Sequence, residues 1–245
     1  VTGGLRCEAR VLFGADVELD RVFQPIEAAE RDWLAERGFG VSESVEIRTM
    51  ARPQGEDAGR PRLIELKSAD AQFPFYGEAE IAPAQSLSQG LEKRADADGT
   101  VRWGVLLASG LPTLLKVEPG DLVRIGEVDY VYRGELIVEP GRGGSPFQLA
   151  PRAMVAHDSL SETGLIRLGS LVEYEYGLKL PPEFDPALFK TVWADAFPDA
   201  GFQIRDFASA SPGVARIVER VALFLTLVGL TALLVGGLGV SPAPR

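Results

Sequence analysis

The sequence predicts an α+β fold followed by one transmembrane helix. Short strand-like stretches edged by turn residues mix with short helix-like stretches, without the regular alternation of a parallel α/β protein. Residues 221–240 then form a twenty-residue run without a charge, long enough as a helix to cross a bilayer core of about 30 Å.

Strands are expected at 16–22, 41–50, 62–68, 121–125 and 130–139. A first helix is expected over 25–37, where Pro25 suits the opening turn, Glu27 and Glu30 favour the positive helix end, and Gly38 stops it. Ile26, Ala29, Trp33 and Leu34 give that helix an apolar side. Further short helices are expected at 85–93, 110–116, 159–165 and 186–196, each after a helix-start residue or a proline. The stretches 53–60, 94–99 and 141–146 carry glycine among charges or prolines and read as loops. No internal repeat of solenoid or propeller type is present.

In the apolar run, Ala222, Thr226, Gly229, Ala232 and Gly236 recur at three- and four-residue spacing, so they line one helical face. Such a stripe lets a partner helix approach closely, and the run's four glycines suit a membrane better than water. Pro242 and Pro244 in the tail cannot continue the helix. Arg205, Arg216 and Arg220 precede the run whereas only Arg245 follows it, which the positive-inside rule alone would read as a cytoplasmic domain.

Composition narrows the function classes. Over 245 residues, 46% hydrophobic and 24% charged, the chain has globular character, and its formal net charge of -10 disfavours nucleic acid as a partner. Cys7 is the single cysteine and His157 the single histidine, so neither a disulfide framework nor a metal site is expected. The glycines of 141–146 lack the Gly-Lys-Ser/Thr that cradles phosphate and magnesium, and those of 236–239 fall inside the apolar run; no ATP site and no cofactor are expected. His157, Asp158 and Ser159 are chain neighbours that diverge in direction, so they make no catalytic relay; Asp158 or Ser159 is expected to cap a helix. Glu173 and Glu175 share one face of a strand and are expected to be solvent contacts. No catalytic residue is assigned.

Four segments resemble permeases of the FtsX/MacB type, and the last three resemble the YbbP-like branch of that superfamily. Gly120 with Asp121-Leu122-Val123-Arg124-Ile125-Gly126, followed by Tyr130-Val131-Tyr132-Arg133-Gly134-Glu135-Leu136, is similar to a run in those proteins. So are Leu66-Lys67-Ser68-Ala69-Asp70 with Phe73-Pro74-Phe75-Tyr76-Gly77, and Ala150-Pro151-Arg152 before Ala153-Met154-Val155. Ser209-Ala210-Ser211-Pro212, leading into the apolar run, resembles the entry to the second membrane helix of that branch. The resemblance implies a MacB-like periplasmic domain. Residues 1–74 and 166–212 would form a porter-like α/β subdomain and 75–165 an inserted, strand-rich, Sabre-like one, with a transmembrane helix at 213–240 and a tail at 241–245.

It also implies a non-catalytic ABC transporter permease in the inner membrane, its large domain in the periplasm or outside the cell. The implied partners are a cytoplasmic ABC ATPase subunit, a second permease copy, and lipid or another hydrophobic substrate. The alternative is a mechanotransmitting subunit that controls an external enzyme or partner protein. An exposed apolar groove would favour transport and a flat polar surface transmission.

Overall fold

The computed structural model describes residues 14–55, 59–96, 98–141 and 150–206. The apolar run with Ala222, Thr226, Gly229, Ala232 and Gly236, the tail, Cys7 and most of the 141–146 loop lie outside the described residues. Among the described residues, no helix is long and apolar enough to cross a membrane.

Strand β1 (Val17–Val22) sits between β12 (Gln203–Asp206) and β11 (Val172–Lys179), and β11 pairs in turn with β2 (Gly40–Pro53), all antiparallel. Alternation sorts their side chains. Leu19, Tyr176 and Val45 belong to the main apolar cluster, while Glu18, Asp20, Glu175 and Glu46 occupy the intervening positions. Two helices, α1 (Ala28–Glu36) and α4 (Pro186–Ala196), bring aromatic rings to the apolar side. Trp193 lies 5.5 Å from Trp33, 5.7 Å from Phe189 and 4.9 Å from Phe197.

The first helix opens later than Pro25, for a local reason. The Pro25 carbonyl accepts from the Arg21 guanidinium and the Ile26 N–H donates to the Tyr176 hydroxyl at 2.9 Å. The turn therefore starts beyond them, where the Glu27 N–H donates to the Glu30 carboxylate at 2.7 Å. Gly38, at φ 71, ends it in the left-handed region that glycine enters without cost.

β2 continues past this layer. Its second half pairs with β3 (Arg62–Ala69), which runs parallel to β10 (Arg152–Ala156); β10 pairs with β7 (Gly104–Ala108), and β7 runs parallel to β9 (Val128–Val138). β8 (Leu122–Ile125) pairs with both β9 and β2, closing a ring of six strands. Ala51, Ile64, Val105, Leu107, Ile125, Tyr130 and Val155 from this ring are buried in the main cluster. The short β4 (Glu80–Ala82) adds to β9, and β5 (Arg94–Ala95) with β6 (Val101–Arg102) makes a separate hairpin where a plain polar loop was expected.

The remaining helices are one or two turns: α2 (Leu87–Leu91), α3 (Leu111–Leu115) and the 3₁₀ turn η1 (His157–Thr163). Capping by Asp158 or Ser159 does not occur, because η1 starts at His157 and the capping position is Ala156. Ser159 is instead fully buried, its hydroxyl donating to the Ala156 carbonyl at 2.7 Å and lying 2.9 Å from the Tyr130 hydroxyl. The Asp121–Gly126 motif is β8 and its turn. Gly126 sits at φ 60, and a Cβ there would meet the Thr163 carbonyl oxygen at 2.2 Å, so only glycine fits.

Candidate functional site

The sheet face opposite α1 and α4 carries charge, not apolar side chains. Lys67 on β3 pairs with Glu46 in register on β2, which pairs with Glu173 on β11, whose neighbour at the same face, Glu175, lies opposite Asp20 on β1. The pleat thus sets acids and bases from four neighbouring strands on one surface. Lys67, with its side chain 5% exposed, reaches Glu175 at 2.7 Å, Glu46 at 3.4 Å and Glu139 at 3.8 Å. Arg152 on β10 binds Glu46 and also contacts Glu139 and Glu65, each at 3.3 Å. At the other end Arg205 on β12 holds Asp20 at 2.5 Å and Glu18 at 3.8 Å.

Glu175 therefore departs from the expectation of a solvent contact: it is buried. Burial raises its carboxyl to about 8, with the Lys67 ammonium pulling down and Glu46 and Glu18 pushing further up. Asp20 is raised to about 7, chiefly by burial and then by Glu18, against Arg205. Burial works on Glu46 too, but Lys67 and Arg152 outweigh it and hold that carboxyl below its ordinary value. Burial opposes the charge on Lys67, yet Glu175, Glu46 and Glu139 raise its ammonium above its usual range. Among these groups the carboxyls of Glu175 and Asp20, not the cations, are pushed toward the neutral form.

The carboxyl oxygens of Glu18, Asp20 and Glu175 approach within 4.8 Å of one another. Arg205 and Lys67 already stand on these oxygens, so side-chain cations fill the place a metal would take. No nucleophile with an adjacent base and oxyanion donors is assembled among the described residues. His157 Nδ1 lies 3.0 Å from the Ser68 hydroxyl, but that hydroxyl accepts from the buried Val45 N–H at 2.9 Å and serves the backbone.

Two clefts of similar size open on the ring half, and their chemistry separates them. One, of ≈ 550 Å³, is lined by Arg94, Asp96, Asp98, Arg102, Tyr132 and Arg133; its guanidinium groups are engaged, Arg102 with Asp98 at 2.9 Å and Arg133 with the Glu92 carbonyl at 2.6 Å. The other, of ≈ 560 Å³, lies along α2 and η1; Phe73, Leu87, Leu91, Trp103 and Ala156 give it its apolar lining, and Asp70, Glu92, Lys93, His157 and Asp158 also border it. It opens onto a second apolar cluster built from Ile81, Leu91, Leu106, Leu136 and Met154, against which Phe73 and Leu87 pack. Its volume falls within the range of small-molecule sites, roughly 300–1,000 Å³.

No family model matches the chain. Over 160 residues it is 31% identical to a protein of Escherichia coli (strain K12) named "Uncharacterized ABC transporter permease YbbP". The chain is thus similar to a permease of the MacB/FtsX type. The match covers 64% of this chain but 18% of that relative, so the chain spans under a fifth of its length. The fold agrees: the periplasmic region of MacB from Actinobacillus actinomycetemcomitans superposes with a TM-score of 0.51 at 9% identity, covering 83% of this chain and 94% of that one. The mixed α/β architecture with one large sheet is thus that of a MacB-like periplasmic domain. Neither the charged face nor the apolar cleft was assigned as a site from sequence. The acids at alternate positions of β1, β2 and β11 were the available signal for the first, but alternation shows that they share a face without showing that the face is covered.

Proposed function

We propose that this chain is the extracytoplasmic part of an ABC transporter permease that couples a cytoplasmic ATPase to the handling or extraction of lipid or another hydrophobic substrate. The observation that carries this reading is the apolar cleft along α2 and η1, bounded by Phe73, Leu87, Leu91 and Trp103. An exposed apolar groove of that size costs free energy in water unless something apolar occupies it. Within the proposal, the domain sits outside the cytoplasm, on the periplasmic side of the inner membrane, and works beside a second permease copy. Residues 75–165 are its inserted strand-rich unit, and 1–74 with 166–212 its porter-like one. The chain itself does no catalysis and depends on the ATPase for energy.

Leu87→Glu tests the cleft. Leu87 is half-buried on α2 and lines the groove; a carboxylate there removes a contact of about 1.5–3 kcal/mol with an apolar ligand, or roughly tenfold or more in occupancy. Lipid copurifying with the full chain, quantified by mass spectrometry, is expected to fall by about that factor in the variant. If wild type and Leu87→Glu carry the same lipid, or neither carries any, the mechanotransmitting reading replaces this one.

A further inference from the structure

Glu18 and Asp20 alternate along β1, and Asp20 faces Glu175 in register on β11. The groups around this trio come from every neighbouring strand. They are Arg205 from β12, Glu173 from β11, Ser44 and Glu46 from β2, Lys67 from β3, Arg152 from β10, and Glu139 just past the end of β9. Arg205 is committed to Asp20 and Glu18, Lys67 is shared among Glu175, Glu46 and Glu139, and Arg152 among Glu46, Glu65 and Glu139. The cations are divided among more carboxyls than they can neutralise.

Two further observations bear on the trio. Asp20 is 3% exposed, and its Oδ1 has no hydrogen-bond partner among the described residues, an arrangement that a proton-bearing neighbour would relieve. Against Glu18 and Glu175, a chamber of ≈ 20 Å³ is bordered also by Ser42, Ser44, Lys67, Phe73 and Phe75, room for about one water molecule. Such a chamber gives a proton polar stepping points into an otherwise covered face.

We propose that Glu18, Asp20 and Glu175 together hold one shared proton, and that this proton fastens β1, β11 and β12 to one another. When it leaves, one carboxyl O–H bond breaks, the proton passes to water, and three carboxylates within 4.8 Å repel across the strand pairs. Glu175 at about 8 and Asp20 at about 7 put the release just above neutrality. Both values lie above those of an unfolded chain, roughly 4. The folded state therefore binds the extra proton: its stabilisation is full below about pH 4, declines as pH rises, and is gone once pH passes about 8. β12 ends at Asp206, from which the sequence leads to the apolar run at 221–240. The trio thus sets how firmly the strand that precedes that run in the sequence is held, and it does so whatever the substrate.

Infrared difference spectroscopy on the full chain in detergent, with ¹³C-carboxyl Glu in one sample and ¹³C-carboxyl Asp in another, reads the proton directly. A protonated-acid C=O band is expected at pH 6, where exposed carboxyls are ionised, shifted by one of the two labels and gone by pH 9. Glu175→Gln removes or displaces it. Hydrogen exchange at the same two pH values, corrected for intrinsic rates, is expected to rise about tenfold in β1, β11 and β12 of the wild type and less than about twofold in Glu175→Gln. Absence of the acid band at pH 6 in wild type overturns the proposal, as does pH-independent protection of these strands. Should Glu175→Gln not fold, the labelled wild-type titration decides alone.

Discussion

Lys67→Met is expected to cost about 3–5 kcal/mol of folding stability above pH 8, where the acids around it are ionised, because removing one partner of a buried ion pair leaves the other charge uncompensated. Here one ammonium serves Glu175 at 2.7 Å, Glu46 at 3.4 Å and Glu139 at 3.8 Å. Arg152 remains to neutralise Glu46 and Glu139, so the charge stranded most completely is that of Glu175. Two consequences separate this account from simple loss of packing. The double variant Lys67→Met/Glu175→Gln should recover about half of the loss, since the stranded carboxylate is gone. The loss in the single variant should also be smaller at pH 6 than above pH 8, because Glu175, already raised to about 8 beside Lys67, rises further without it and is neutral at the lower pH. Thermal unfolding followed by tryptophan fluorescence measures both; a loss below about 1 kcal/mol would place these pairs with weak, solvent-screened ones.

Trp193→Ala should be similarly damaging, about 3–5 kcal/mol, through the cavity it opens between α4 and α1. The ring sits among Trp33, Phe189, Phe197 and Phe202, the last at 5.7 Å, and is 2% exposed. Its indole Nε1 has no hydrogen-bond partner among the described residues. Trp193→Phe therefore removes an unsatisfied buried donor together with some volume, and the two effects oppose. The expected cost is under about 1.5 kcal/mol, in contrast to alanine. Equal losses for Phe and Ala in urea unfolding would show that the N–H, through a partner, matters more than the ring.

Elements with local signals were legible in the sequence. α4 spans 186–196 as expected, with the Asp185 carboxylate accepting from the Ala187 N–H at 3.1 Å and Pro186 in the first turn. β1, β2, β3, β8 and β9 lie within a few residues of their expected bounds, because each is bracketed by turn residues. β7 and β10 were not expected. Gly104–Ala108 is buried throughout and Arg152–Ala156 nearly so, so neither alternates, and a short run buried on both faces reads from sequence as neither helix nor strand. Closure of the ring rests on β8 pairing with β2 some seventy residues earlier, a long-range contact without a local mark. The charged face was half legible: Glu173 and Glu175 were placed on one side of a strand, but Lys67, in the middle of Arg62–Ala69, gave no sign of the buried acids that surround it.

The placement of this domain outside the cytoplasm is the claim on which the permease reading stands, and the arginines around the apolar run argue the other way. Long domains translocate largely regardless of flanking charge, so those arginines carry little weight. The direct test places a cysteine at Thr100, exposed beside the β5–β6 hairpin, in a Cys7→Ser background of the full-length protein in cells. A membrane-impermeant thiol reagent is then added to spheroplasts. Labelling of Thr100→Cys in intact spheroplasts, at the level seen after lysis, is the result this account predicts; labelling only after lysis would put the domain in the cytoplasm and contradict it.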